Sequence, residues 1–160
     1  MIYINKLNFY TVSDEYIQYL YQFDKKIPYN KNAKRPYIGV VLKIEEFNYF
    51  APLFSPKKTH SKYSDNPTYM KIGTSYGIVR FNNMIPVPIS ELKYININSI
   101  EDKKYRMLLI AQNHFIKLHT EKILKKALKL YTWVTINEKE FFVNLNCNFK
   151  LLEKVSKMYK

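Results

Sequence analysis

The sequence predicts an α+β fold, an antiparallel sheet with helices packed on it, and three observations carry the prediction. Short runs rich in aromatic and β-branched residues, bounded by Pro, Gly and Asn, crowd the first hundred positions. One short helical stripe lies among them, and a much longer one follows. Read in order, the elements run β-α-β-β-β-β-α, with strands clustered rather than alternating with helices. At 160 residues, one domain spanning 1–160 is expected, with enough chain to bury a core.

LNFYTV (residues 7–12) reads as a strand from its aromatic and β-branched content. Ser13 and Asp14 are N-cap candidates for a helix reaching about Asp24, with Tyr16, Ile17, Leu20 and Phe23 on its buried face. The connector DKKIPYNKNAKRP follows, closed to helix near Pro28 and Pro36. YIGVVLKI is continuous enough in apolar residues to be buried on both faces. EEFN turns it into the returning strand FNYFAPLF.

The segment from Ser55 to Pro67 reads as a loop, and YMKIG and GIVRF as two short strands. MIPVPI, with two prolines, suits a turn or an edge; ELKYINI is a further strand. Ser99 is expected to open the longest helix, with Asp102 as its capping-box partner. Tyr105, Leu108, Leu109, Gln112 and Ile116 form one stripe, resumed by Ile123, Ala127 and Leu130. KLHTE interrupts that stripe, as a kink or as a boundary between two helices. Asn148 is placed to cap a last helix carrying Leu151, Leu152 and Val155.

The formal net charge is +13, from 26 Lys and Arg against 13 Asp and Glu. So large an imbalance points to a polyanionic partner, nucleic acid first. A membrane partner is not expected: no apolar run approaches the roughly 20 residues that span a bilayer. The start MIYINKLNFY lacks the layout of a signal peptide. The single cysteine, Cys147, has no internal disulfide partner, which suits a reducing cytoplasm.

Familiar catalytic patterns are missing. There is no phosphate-loop, dinucleotide or H-E-x-x-H motif, and three glycines make no cradle. No cofactor is expected. No metal is expected either, because His60, His114 and His119 are scattered. The last two lie five apart on a helix, roughly 500° around and poorly aligned. Glu45–Glu46 and Glu101–Asp102 are explained by a turn and a helix start.

What remains is YFAPLFSPKKTH (residues 49–60). Serine followed by two lysines and a histidine would ordinarily be a solvated turn. Here a buried strand delivers the serine, Pro52 and Pro56 stiffen the approach, and no acid lies between Phe47 and Ser64. Such a site suits RNA cleavage without metal, in which the ribose 2′-OH attacks its own phosphate. The enzyme then orients the backbone, stabilises charge and moves two protons. Lysine suits the charge and serine can donate to a non-bridging oxygen; composition names no general base or acid.

The ordered set FYTVSDEYIQYLYQFDKKIPYN, RPYIGVVLKI, YFAPLFSPKKTH and FNNMIPVP, followed by a long Lys-rich helix and CNFKLLE, resembles the ToxN/AbiQ endoribonuclease toxins of type III toxin–antitoxin and abortive phage-infection systems. The resemblance runs over almost the whole chain. It implies a compact antiparallel β-barrel like that of MazF and Kid, with added helices, including a long one in the C-terminal half. It further implies a metal-independent, sequence-selective endoribonuclease that leaves a 2′,3′-cyclic phosphate on single-stranded cellular or phage RNA. A repeated antitoxin RNA pseudoknot would inhibit it, in closed rings of three proteins and three RNAs.

Carried over residue by residue, the family's strand-end serine is Ser55 and its following lysine Lys57. Tyr29, Lys31 and Lys34 stand for a tyrosine and basic residues before the R-P strand. Ser55, Lys57 and Tyr29 are the expected catalytic residues. Lys31, Lys34, Arg35, Phe54, Lys58, His60, Lys117 and Lys122 are the expected RNA contacts. Some members have threonine where this chain has Phe54, so that hydroxyl is absent here. The alternative is a non-catalytic RNA-binding protein on the same fold. A DNA-binding repressor ranks lower, since the long helix offers lysines but few side chains for base edges.

Overall fold

The computed structural model describes residues 6–62 and 66–160. Strand β1 (Asn8–Val12) leads into α1 (Asp14–Tyr21), whose Ser13 hydroxyl accepts from the Tyr16 amide at 3.2 Å. Tyr16, Ile17 and Leu20 are buried as the spacing predicts. The helix stops short of Asp24, because the chain turns back on the Leu20 carbonyl. Phe23 therefore stands exposed, edge-on to Tyr19.

β2 (Tyr37–Ile44) and β3 (Phe47–Phe54) form the expected hairpin, and β2 is buried along most of its length. β4 (Tyr69–Lys71) and β5 (Ile78–Arg80) pair as a second one. β6 (Ile85–Pro86) is the two-proline edge piece, and β7 (Leu92–Tyr94) pairs with β1. Pairing is antiparallel throughout, in the order β4-β5-β3-β2-β1-β7, with β6 beside β3.

This corrects the barrel expectation. The path has two ends, and no ladder joins β4 to β7 among the described residues. A closed barrel needs strands long enough to stagger around it, and the two end strands have three residues each.

The start expected at Ser99 is also corrected, and the stripe divides into two helices, one of the two alternatives at KLHTE. The first starts at Lys103, with Asp102 itself as N-cap accepting from the Tyr105 amide at 3.1 Å. Ser99 lies instead in a tight turn, bonded to the Asn96 carbonyl. The helix then breaks at His119, giving α2 (Lys103–Leu118) and α3 (Thr120–Thr135). There the Thr120 hydroxyl takes the freed Ile116 carbonyl at 3.1 Å, so KLHTE marks a boundary.

α4 (Glu140–Leu145), absent from the sequence reading, is a six-residue turn of helix with no buried side chain, too short to show a periodicity. α5 (Phe149–Met158) is capped by Asn148 as expected. α3 packs over β2 and α5 against β6. Between them Glu153, buried, accepts from the hydroxyls of Tyr49 and Tyr131, both at 2.6 Å. A buried carboxylate needs such donors, and here they fix the helical layer to β3.

Candidate functional site

The far end of β3 leaves β2 and joins β5, with Leu53 opposite Val79 and Phe54 opposite Ile78. Gly77 precedes β5 at φ +100°, a conformation that side chains disfavour. A Cβ there would lie 2.1 Å from the Phe54 carbonyl oxygen, so glycine alone permits the approach. Ser55 emerges from this junction exposed, followed by exposed Lys57 and Lys58. The strand is thus a rigid mount for the loop.

His60 holds the loop from beneath. It is 7% exposed; its Nδ1 accepts from the Lys57 amide at 3.2 Å, and its own amide donates to the Lys57 carbonyl at 3.0 Å. Burial, then the charges of Arg80, Lys57 and Lys71, pull its pKa below the ordinary histidine value. The ring is a neutral anchor for the Lys57 backbone, a different role from the surface RNA contact expected of it.

The connector reaches Ser55 by a strained route. Lys31, Asn32 and Ala33 all have positive φ, near +53° to +61°. Successive left-handed residues cost roughly 1–2 kcal/mol each, so both ends must be held. Asn30 does this at one end, donating to the Val12 carbonyl and the Asp14 carboxylate. Arg35 does it at the other. Its Nε donates to the Tyr29 carbonyl at 2.7 Å and its Nη1 to the Leu53 carbonyl at 3.1 Å.

At 6% exposure, Arg35 ties the connector to β3 rather than presenting an open cation to RNA. Tyr29 is 70% exposed, its hydroxyl 3.4 Å from Asn32 Oδ1. Lys31 is drawn below the ordinary ammonium range by partial burial, then by the charges of Arg35 and Lys57.

Two grooves flank the loop. The first, of about 740 Å³, is lined by Lys31, Lys34, Phe54 and Ser55 on one side and by Tyr94 and Tyr105 among others on the opposite side. Its sole lining carboxylate, Glu91, accepts from the hydroxyls of Ser13 at 2.8 Å and Tyr159 at 3.0 Å. These bonds hold its carboxyl below the usual range. The second groove, about 730 Å³, is lined by Lys57, Lys58, His60 and Lys71, with no acid among the described residues. Ser55–Lys57 forms the ridge between them.

Phe54 is not a free stacking surface. The guanidiniums of Arg35 and Arg80 lie over its ring at 4.2 and 4.6 Å. Two helix lysines also part from the site. Lys117 donates to the Leu7 carbonyl and to Asn8, tying α2 to β1. Lys122 lines a separate trough on α3 with Lys125, Lys126 and Lys129. In that trough Lys125 pairs with Glu121 at 3.0 Å, and Lys126 donates to the Asn66 and Tyr69 carbonyls.

Lys31, Lys34 and Ser55 line the first groove and Lys57 and Lys58 the second; Tyr29 lines neither, and Lys117 and Lys122 stand apart. The sequence reading missed Arg80, Lys71 and Tyr94, because nothing in three short strand-like pieces tells which side faces Ser55. Gln112 was read as part of a buried stripe, although a glutamine among apolar positions is itself a signal. The assembled groups are a hydroxyl, ammonium ions and a neutral imidazole, suited to binding and stabilising a phosphate. No three His, Cys, Asp or Glu side chains come together as metal ligands among the described residues.

Residues 8–157 match the family described as Toxin ToxN, type III toxin-antitoxin system. The chain is 35% identical to the endoribonuclease ToxN of Bacillus thuringiensis subsp. kurstaki, covering 95% of this chain and 84% of that protein. It is 36% identical to the endoribonuclease AbiQ of Lactococcus lactis subsp. lactis, covering 96% and 89%. Among solved structures, it superposes with a TM-score of 0.87 on a type III toxin described as selectively inhibited by a non-coding RNA pseudoknot, at 33% identity and covering 97% of this chain and 98% of that one. With AbiQ, described as a lactococcal anti-phage endoribonuclease, the TM-score is 0.86 at 34% identity, covering 96% and 98%.

Proposed function

This chain belongs to the ToxN toxin family of type III toxin–antitoxin systems, and from that premise we propose that it is an endoribonuclease toxin acting as a single domain in the cytoplasm. It cuts single-stranded cellular or phage RNA at selected sequences, without metal, leaving a 2′,3′-cyclic phosphate. A pseudoknotted antitoxin RNA holds it inactive in a closed ring of three proteins and three RNAs, and its release serves phage defence. No helix among the described residues is long and apolar enough to cross a membrane.

The observation that carries the reading is the Ser55–Lys57 ridge, cationic on both flanks and mounted on a rigid strand end. The substrate's own 2′-OH is the nucleophile, so the protein's work is orientation and electrostatics. Ser55 donates to a non-bridging oxygen of the scissile phosphate, and Lys57 stabilises the charge that builds there. Tyr29, exposed on the connector, is assigned to offer a phenol to the ribose or leaving oxygen. Lys31 lines the groove beside Ser55 as a further cation for the RNA backbone. Lys34 and Lys58 hold the flanking phosphates.

The test separates this from an RNA-binding protein without catalysis. Purified protein is incubated with an RNA pool, and Ser55→Ala is compared for cleavage and for binding. Loss of cleavage with binding kept is expected. Undiminished cleavage by a folded Ser55→Ala protein removes the assignment.

A further inference from the structure

We propose that Gln112 reads a substrate base: its Oε1 accepts a hydrogen bond from the exocyclic amine of an RNA base entering the groove beside Ser55. The proposal rests on the endoribonuclease reading and extends it to base selection.

Gln112 occupies a helix face whose other members are apolar, between Leu109 and Ile116, both fully buried. It is itself 3% exposed, and so buried a polar side chain is expected to be fully bonded. Half of it is. Nε2 donates to the Tyr76 carbonyl at 2.7 Å. That bond also assigns the amide, since the flipped form would set oxygen against oxygen. Oε1 is then left buried with no donor among the described residues.

The surroundings say what kind of donor is wanted. Gln112 lines the same groove as Ser55, Phe54 and Lys31, whereas Tyr76 does not. The amide nitrogen is thus committed outside the groove, and the oxygen is the polar atom left for it. Leu92, Ile100 and Leu108 make the nearby walls apolar, with Tyr105 among them. Tyr94, 61% exposed, stands at the groove beside them as a stacking surface. An apolar slot with one convergent polar atom is how small-molecule sites orient a ring.

A base fits that slot, and its edge chemistry decides which. The amines of adenine, cytosine and guanine project beyond the ring and reach a deep acceptor. Uracil has only a ring N–H set between two carbonyls, which oppose Oε1. Amino-bearing bases are therefore favoured at this position and uracil is disfavoured.

The experiment uses the full chain and synthetic RNA. Fragment sequencing of a random pool cut by the wild-type protein first maps the bases around the broken bond. Oligonucleotides then delete one amine at a time, adenine to purine riboside, guanine to inosine or cytosine to pyrimidin-2-one riboside, and kcat/KM is compared between wild type and Gln112→Met. At one position the wild type should lose roughly tenfold or more, while Gln112→Met should scarcely respond. The wild-type series alone keeps the test decisive should the variant not fold. If the wild type cuts RNA but no amine matters, or if the penalty persists in folded Gln112→Met, base reading by Gln112 is overturned and the endoribonuclease reading stands. If the wild type cuts no RNA, both fall.

Discussion

Replacing Gly77 by alanine should cost far more activity than stability, and Gly73 supplies the control. Both glycines have positive φ, +100° and +60°. Alanine at either is therefore expected to lose roughly 1–2 kcal/mol, a fall in Tm of several degrees for a chain of this length. What the new Cβ meets differs. At Gly77 it lies 2.1 Å from the Phe54 carbonyl oxygen and 3.3 Å from the Pro56 nitrogen, the backbone on either side of Ser55. Relief requires moving that backbone by roughly 1 Å, and a displacement of that size at a reacting group costs about a hundredfold.

At Gly73 the clash is with the Tyr76 ring at 2.9 Å, a partly exposed side chain that can swing away. Single-turnover cleavage of one RNA oligonucleotide, beside thermal unfolding of each variant, reads both effects. Gly77→Ala should fall about a hundredfold while Gly73→Ala stays within a few-fold. Wild-type cleavage by Gly77→Ala, or an equal loss in Gly73→Ala, would refute the idea that the β3–β5 junction sets the position of Ser55.

Four further outcomes are expected. Lys34→Ala should leave the fold intact and make the salt dependence of antitoxin-RNA binding shallower, by about 0.7 for each phosphate that is no longer neutralised. Arg35→Ala should instead lower Tm, since the Tyr29 and Leu53 carbonyls lose their donor; salt-insensitive RNA binding defeats the electrostatic account. Cleavage should persist in excess EDTA, and loss of activity restored by magnesium defeats the metal-free mechanism. His60 titrates below 6.5 in the folded protein, so just below that pH the unfolded chain binds more protons. Stability should fall as pH drops through about 6.5, more in wild type than in His60→Gln. Identical pH profiles would show that His60 is not buried neutral.

The elements that the sequence made legible are those with a strong period or a strong cap. β2 and β3 agree with their apolar runs to the residue, and Ser13 and Asn148 cap the helices expected of them. Closure of the sheet was not legible, because strand propensity says nothing of whether the outermost strands meet. At the site, Lys31, Lys34 and Arg35 carry the same expectation of RNA contact, and the sequence offers nothing to separate them. Lys34 and Arg35 are neighbours of similar charge, yet one lines the groove and the other is a buried tie. That difference depends on the left-handed turn at Lys31–Ala33, which no glycine marks. Gly77 was read only as a strand boundary, since its close approach to Phe54 is made across the sheet.

Phe54 organises the charge at the strand end. Arg35 and Arg80 both lie against its ring, and no acid lines the second groove among the described residues. Two guanidiniums so near one another repel; burial, and then Arg80, hold Arg35 below its usual range. An aromatic face offsets part of that, by about 0.5–2 kcal/mol per cation. It does so without a carboxylate, whose charge would cancel theirs. The phenyl ring thus gathers positive charge at the strand end while leaving the field there uncancelled. A threonine in its place could not hold both arginines. The aromatic ring thereby makes a stiffer, more cationic mount for Ser55.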